Sequence, residues 1–477
     1  MRRRVFLAAS ASAALATVLP PGRGRRAPAR PRPSAEHLAW HGAELAMFVH
    51  FTVNTFTDRE WGDGREDPRI FNPARLDAGQ WARTAKAGGF RTMILTAKHH
   101  DGFCLWPTET TSHSVRSSPW RDGQGDVVRE FVDACRHEGL GVGLYLSPWD
   151  RHEPSYGDSP SYNEFYARQL TELLTRYGSL VEVWFDGANG EGPNGRRQVY
   201  DWPRFQAIVR RLQPHALIFS DAGPDIRWIG NEQGVAGDPN WCTVDPRAVP
   251  YPGAVGDEVS DALQHGDPAG SVWRPGEADV SIRPGWFWHR KQDDQVRTPD
   301  NLLELYFSSV GRNAGLLLNV PPTADGVFHE RDVARVAEFG ERRRALFATN
   351  LAAGARGGSR DADGQGHDAR RLVDGDGSTF WQPVGGKRTG SVELAFNHLL
   401  SFDVTCLAEA IAYGQAVERY RLEAWTGGAW TTVARGTTIG HKRLHRVAAV
   451  TTDRVRLTIE AALDTPRIET LALYRSG

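Results

Sequence analysis

Apolar and polar positions alternate along this chain in two rhythms, and the switch between them divides it. From residue 46 to about 220, short apolar or period-two runs are each followed by an amphipathic stretch. AMFVHF (46–51), RTMILTAKHH (91–100), GVGLYLSPWD (141–150), VEVWFDG (181–187) and ALIFSDAG (216–223) read as strands. LDAGQWARTAKAGGF, DVVREFVDACRHEG, SYNEFYARQLTELLTRYG and DWPRFQAIVRRLQP read as helices, the first with Asp77 as N-cap and a glycine pair as its stop, the second running from Asp126. Strand and helix in alternation, five times over, predict a parallel sheet with helical crossovers, and this many units favour a (β/α)₈-like barrel, a distorted TIM barrel, over an open sheet. Residues 224–298 are less regular and read as long loops on the active face. TPDNLLELYFSSVGRNA and GLLLNVPP then close the barrel, and ERDVARVAEFGERRRALF ends it near 347. Beyond about 350 the helical period disappears. SVELAF, YRLEAWTGGAWTTVA, HRVAAVTTDRVRLTIEA and RIETLALYRS are alternating strands with Gly and Asp turns, which predict a β-sandwich.

In a parallel α/β protein the cleft is built from loops leaving the strand tops. In VEVWFDG, Val181, Val183 and Phe185 alternate with Glu182, Trp184 and Asp186, and Gly187 stops the run, so Asp186 stands at a strand's carboxyl end. A carboxylate there is a candidate nucleophile or base, or else a helix N-cap. His50, His99, His100 and Tyr145 also collect at strand ends. The histidines could donate hydrogen bonds to hydroxyls or hold a metal, although neighbours such as His99 and His100 share one site only where the strand has already ended.

Composition narrows the chemistry. Of 477 residues, 40% are hydrophobic and 24% charged, the balance of a soluble globular protein, and no later apolar run is long enough to span a membrane. Sixteen Trp suit either core packing or stacking surfaces for sugars. The start, MRRRVFLAASASAALATVLPPG, reads as an export signal, and Arg3-Arg4-Val5-Phe6-Leu7 resembles the twin-arginine pattern of bacterial export, which implies a secreted or periplasmic protein. Residues 1–33 are therefore signal and linker, 34–347 the barrel and 348–477 the sandwich. Removing the eight arginines before Glu36 takes the formal charge from −1 to about −9, which argues against nucleic acid as a partner. Cys104, Cys135, Cys242 and Cys406 lie far apart, in no metal-like spacing.

No phosphate-binding glycine loop and no GxSxG elbow occurs in the required context, so nucleotide and esterase chemistry lack support. The barrel offers carboxylates among aromatics. Glycoside hydrolysis needs two carboxyl groups across the scissile bond. With Asp186 as one, Glu232 in IRWIGNEQG and Glu277 in WRPGEADVSIRPGWFWH are the candidates for the acid, each beside Trp and Gly in an expected loop. A carboxyl pressed among aromatics is desolvated, which raises its pKa as a proton donor near neutrality requires.

AMFVHF, TAKHHDGFCLW, GLYLSPWD, VWFDG, RWIGNEQG, PGEADVSIRPGWFWH and GLLLNVPPTADG, in this order from about residue 40 to 345, resemble the α-L-fucosidases of glycoside hydrolase family 29. The GNE and GEADVSIRPGWF forms look most like the branch selective for α-1,3/1,4-linked fucose. The resemblance implies a retaining double displacement that releases α-L-fucose from fucosylated oligosaccharides or glycoconjugates, with no cofactor and no metal in the catalytic site. By motif, Asp186 would be the nucleophile and Glu232 the acid/base, with Glu277 as the alternative. His50, His99, His100 and Tyr145, and less securely Trp61, Arg227 and Trp286, would hold the sugar. Trp286 or Phe287 could pack on the sugar's methyl group. Rival readings are a retaining barrel glycosidase for another sugar and a non-catalytic carbohydrate-binding protein. In the sandwich, LVDGDGSTFWQP resembles a loop of discoidin-like sugar-binding modules, where Asp374, Asp376 and neighbouring carbonyls could hold a structural Ca²⁺ or simply form a tight turn.

Overall fold

Eight parallel strands form the first sheet of the computed structural model, which describes residues 30–358 and 368–476. They are β1 (Leu45–Val49), β2 (Thr92–Lys98), β3 (Gly141–Leu146), β4 (Glu182–Trp184), β5 (Leu217–Phe219), β6 (Arg227–Trp228), β7 (Gly276–Ser281) and β8 (Gly315–Asn319). Their order is β5-β4-β3-β2-β1-β8-β7-β6, and a parallel bridge from Phe219 to Ile226 draws the two edges together, so the barrel is nearly closed. The export signal expected in residues 1–33 lies, up to residue 29, outside the described residues.

The helices fall where their caps predict. Asp77 accepts from the Gln80 amide at the head of Ala78–Gly88, and Asp126 from the Arg129 amide at the head of Val127–Glu138; Gly89 and Gly139 end them in the left-handed region. Residues 224–298 depart from expectation. They are not loops throughout but carry β6 and β7, joined by an excursion that contains the helix Asp257–His265. A two-residue strand such as β6 is too short to show period two, so its place in the sheet is invisible locally.

The strand registers are sorted by chemistry. Leu45, Met47 and Val49 of β1 and Val183 and Phe185 around β4 pack outward with the helices in the main apolar core. Ala46, Phe48, Tyr145, Trp184 and Phe219 form a separate cluster inside the barrel. The inward register of 182–186 is therefore Glu182, Trp184, Asp186, and that of β7 is Glu277, Asp279, Ser281. Polar side chains occupy the barrel axis at floor and mouth, with aromatics between them.

The C-terminal part is antiparallel throughout, with strands Arg356–Gly358, Gly390–Glu409, Val417–Thr426, Ala429–Gly436, Arg443–Ala462 and Ile468–Tyr474. Its two 20-residue strands carry register shifts between Ala395 and Leu400 and between Phe402 and Val404. Bulges bend a strand, and these let the same two strands serve both layers of a sandwich. Leu407, Leu471 and Leu473 face the sandwich core, whereas Val404, Cys406, Leu444 and Ala472 join the barrel's core. Residues 404–408 and 471–473 are buried on both faces of their strands, and Pro31–Gly477 form one compact unit. Polar contacts reinforce the junction: Arg443 donates to Asp238 at 2.5 Å, the Asn240 amide to Thr438 Oγ1 at 3.0 Å, and the Cys242 amide to Gln415 Oε1 at 2.8 Å. All four cysteines are buried and free.

Candidate active site

A cavity of about 320 Å³ opens at the carboxyl ends of the barrel strands. Asp186, two residues past the end of β4, reaches it from the inside. Gly187 makes the turn that follows possible: a Cβ there would lie 2.3 Å from Asp221 Oδ2 and 2.6 Å from the Gly253 amide nitrogen. Asp186 Oδ1 accepts from the Ala188 amide at 2.8 Å and Oδ2 from the Tyr145 hydroxyl at 2.9 Å. Burial pushes this carboxyl above its ordinary range, and those two hydrogen bonds oppose the shift by favouring the charged form.

His50, His99 and His100 all border the cavity. His99 and His100 share it because β2 ends at Lys98, so the two rings lie 4.0 Å apart by centroid instead of on opposite faces. Burial holds His50 and His100 neutral, each down to about 3. Their tautomers follow from their neighbours. Asn319 Nδ2 donates to the Trp286 carbonyl at 2.8 Å, which can only accept, so Asn319 Oδ1 is the atom 2.8 Å from His50 Nδ1. The proton of that contact therefore sits on His50 Nδ1. Ser147 gives its hydroxyl proton to the Trp149 carbonyl at 2.6 Å and must accept from His100 Nδ1 at 2.7 Å. In both rings Nε2 is left as a bare acceptor. This corrects the expectation that these histidines donate: His50 and His100 are built to receive a proton from a hydroxyl. His100 Nε2 lies 3.9 Å from Asp186 Oδ2. Among the described residues no group of three or more His, Cys, Asp or Glu is placed to hold a metal ion.

Glu232 stands at the rim, where the Trp286 indole donates to its Oε2 at 3.2 Å. Partial burial raises this carboxyl; the Trp286 hydrogen bond opposes that, and the negative charges of Asp186 and Glu60 add to it. Trp286 borders the cavity and Phe287 does not; Phe287 is fully buried, edge-on to His50 and His99. Trp61 also lines the cavity, 60% exposed, near Trp149 and His100.

Two expected residues lie elsewhere. Glu277, the alternative proton donor, sits at the start of β7 on the barrel floor beside Glu182, where the Trp184 indole donates to it at 3.0 Å. Burial pushes Glu277 up to about 7. It stands on the right face of its strand but one layer too low. Arg227, expected at the sugar, points outward from β6 and donates to the Leu263 and Arg274 carbonyls and to Asn240 Oδ1 at 2.9, 2.5 and 2.7 Å. Every donor nitrogen of that guanidinium serves the loops behind the strand, which makes it a brace.

Three residues not singled out in the sequence belong to the site. Asp279, two positions above Glu277, lines the cavity. Glu60, next to Trp61, accepts the Trp286 amide at 2.8 Å and faces His289 Nε2 at 2.6 Å, so it fixes the Trp286 loop. Asn319, at the end of β8, ties His50, Ser281 and Trp286 together. In the sandwich, Asp374 accepts from Thr379 at 2.8 Å and from the Asp376 amide at 3.0 Å, while Asp376 accepts from Ser378 Oγ at 2.6 Å. These carboxylates cap their own turn, and Arg371 lies 3.4 Å from Asp374.

Residues 29–342 match the family model described as alpha-L-fucosidase. The chain is 45% identical over 453 residues to alpha-L-fucosidase 1 of Arabidopsis thaliana, covering 94% of this chain and 88% of that one. Among solved structures it resembles SpGH29, with a TM-score of 0.89 and 41% identity over 94% of this chain and 99% of the other. A Ruminococcus gnavus GH29 fucosidase in complex with fucose superposes with a TM-score of 0.85 and 35% identity, over 95% of this chain and 97% of that one.

Proposed function

The chain belongs to the alpha-L-fucosidase family, exo-glycosidases that release α-L-fucose from glycans, and we propose that it works by a retaining double displacement with Asp186 as nucleophile and Glu232 as acid/base. In the first step an Asp186 oxygen bonds to the anomeric carbon, the glycosidic C–O bond breaks, and Glu232 gives its proton to the departing oxygen. In the second, Glu232 takes a proton from water, whose oxygen attacks the anomeric carbon and releases Asp186.

The observation that carries this reading is the contrast between the two carboxyls. Burial raises both, but Asp186 is held at both oxygens by donors that oppose the shift and favour the ionised form a nucleophile needs. Glu232 has only one donor, the Trp286 indole, and against it partial burial and two neighbouring negative charges favour the protonated form an acid needs. His50 and His100 supply acceptors for the sugar hydroxyls, and the Trp286 face, bordering the same cavity, suits the methyl of a 6-deoxy sugar.

Asp186→Ala should lower kcat on an aryl α-L-fucoside by several orders of magnitude with the fold intact, and azide should restore part of it. A trapped-intermediate digest that labels another residue, or a first product of inverted anomeric configuration by NMR, overturns the assignment.

The GNE and GEADVSIRPGWF segments support a preference for α-1,3/1,4-linked fucose in branched glycans. Comparing release from branched and from linear α-1,2-linked substrates decides it. The twin-arginine-like start supports action outside the cytoplasm, and fractionation of cells carrying Arg3→Lys with Arg4→Lys tests that.

A further inference from the structure

Asp279 holds both ends of the segment that carries Glu232. Before that segment, the Trp228 indole donates to Asp279 Oδ1 at 2.7 Å. After it, the Gly234 amide donates to the Asp279 backbone carbonyl at 3.1 Å. The tie at Gly234 needs a residue without a side chain, since its φ is +71° and a Cβ would lie 2.9 Å from Val280 Cγ1. Between the two ties, Gly230 also takes a positive φ of +85°, and the Gln233 amide donates to Asn231 Oδ1 at 3.0 Å. The result is a tight turn pinned to one strand, with Glu232 near its apex.

Asp279 is only 5% exposed, yet it lines the cavity. Burial raises its carboxyl well above the ordinary range, and the charges of Glu232 and Glu277 push the same way. A neutral Asp279 can accept from Trp228 with one oxygen without placing a second full charge beside Glu232. Nothing in the double displacement itself requires this residue.

We infer that Asp279 is a positioning residue for the proton donor: its side chain and its carbonyl together fix the 228–234 turn, so that Glu232 reaches the departing oxygen. This rests on Glu232 being the acid/base. Displacing a catalytic group by about 1 Å can cost about a hundredfold in rate, and that loss falls on substrates whose leaving group must be protonated.

The test compares a fucosylated oligosaccharide with a dinitrophenyl α-L-fucoside, whose leaving group departs without a proton. Asp279→Ala should lower kcat/KM, which reports the first step, about a hundredfold on the oligosaccharide and less than about tenfold on the aryl substrate. Trp228→Phe, which removes the same hydrogen bond from the other side, should reproduce that split. Asp279→Asn keeps an acceptor for the indole and should recover most of the oligosaccharide rate. If Asp279→Ala does not fold, Trp228→Phe and Asp279→Asn carry the comparison.

Equal losses on both substrates in folded variants, or no loss in Trp228→Phe, overturn the inference. Glu232→Ala is the control. If it shows no dependence on the leaving group, the assignment of Glu232 fails first. If it shows that dependence while Trp228→Phe and the Asp279 variants do not, only the role of Asp279 falls.

Discussion

The Tyr145 hydroxyl donates to Asp186 Oδ2 at 2.9 Å, from the neighbouring strand of the same barrel wall. The bond favours the carboxylate over the carboxylic acid. Removing it in Tyr145→Phe should raise the pKa of Asp186, and since this group must be ionised to attack, the acid limb of the kcat/KM profile should move to higher pH by roughly one unit. An unmoved acid limb would mean that Tyr145 does not act on the nucleophile.

The acceptor tautomers of His50 and His100 predict a pattern among sugar analogues. A hydroxyl they read must donate. Fluorine at position 3 or 4 accepts but cannot donate, so such fucosides should be no better than the deoxy sugars, each losing about 1–3 kcal/mol of transition-state binding per hydrogen bond. A fluoro sugar that clearly outperforms its deoxy partner would reverse the tautomer assignment. Because both rings stay neutral to about 3, they should also leave no titration step between pH 5 and 7.

On the barrel floor, Glu277 holds its proton up to about pH 7. A folded-state pKa above the unfolded value contributes stability at low pH that is lost as pH rises through the folded value. Glu277→Gln keeps an acceptor for the Trp184 indole and has no proton to lose. Its melting temperature should therefore gain on that of the natural protein at pH 9 relative to the comparison at pH 5. The same difference at both pH values would show that the barrel floor does not raise this carboxyl above its unfolded value.

Asp374 and Asp376 spend their oxygens on their own turn, with Arg371 close by. Treatment with EDTA followed by added Ca²⁺ should leave both activity and melting temperature unchanged. A calcium-dependent rise in melting temperature would point to a metal at this loop.

Alternation in VEVWFDG is enough to bring Asp186 to the cavity, because a polar register on an otherwise apolar strand must face either solvent or the barrel axis. The same logic cannot choose between Glu277 and Asp279. They lie on one face of one strand, and period two does not tell floor from mouth; that depends on where the strand begins. Arg227 fails for a related reason: with only two residues in β6, nothing local says which side chain turns inward. Asn319 and Glu60 act through partners far away in the chain, His50 and the Trp286 amide, and such meetings exist only once the barrel closes. The His50 and His100 tautomers were hidden for the same reason, since each is dictated by a distant acceptor.

The strand segments 404–408 and 471–473 of the sandwich, packed against the barrel's core on one side and their own core on the other, make modular exchange hazardous. Through the loop residues Gln415 and Thr438 and through Arg443 the C-terminal part grips the 238–242 loop, and through Asn240 that loop holds Arg227 at the root of the proton donor's turn. A chimaera given a foreign C-terminal module would inherit the chemistry on paper and lose the buttress behind it. Any engineered graft would have to carry this seam along with the fold.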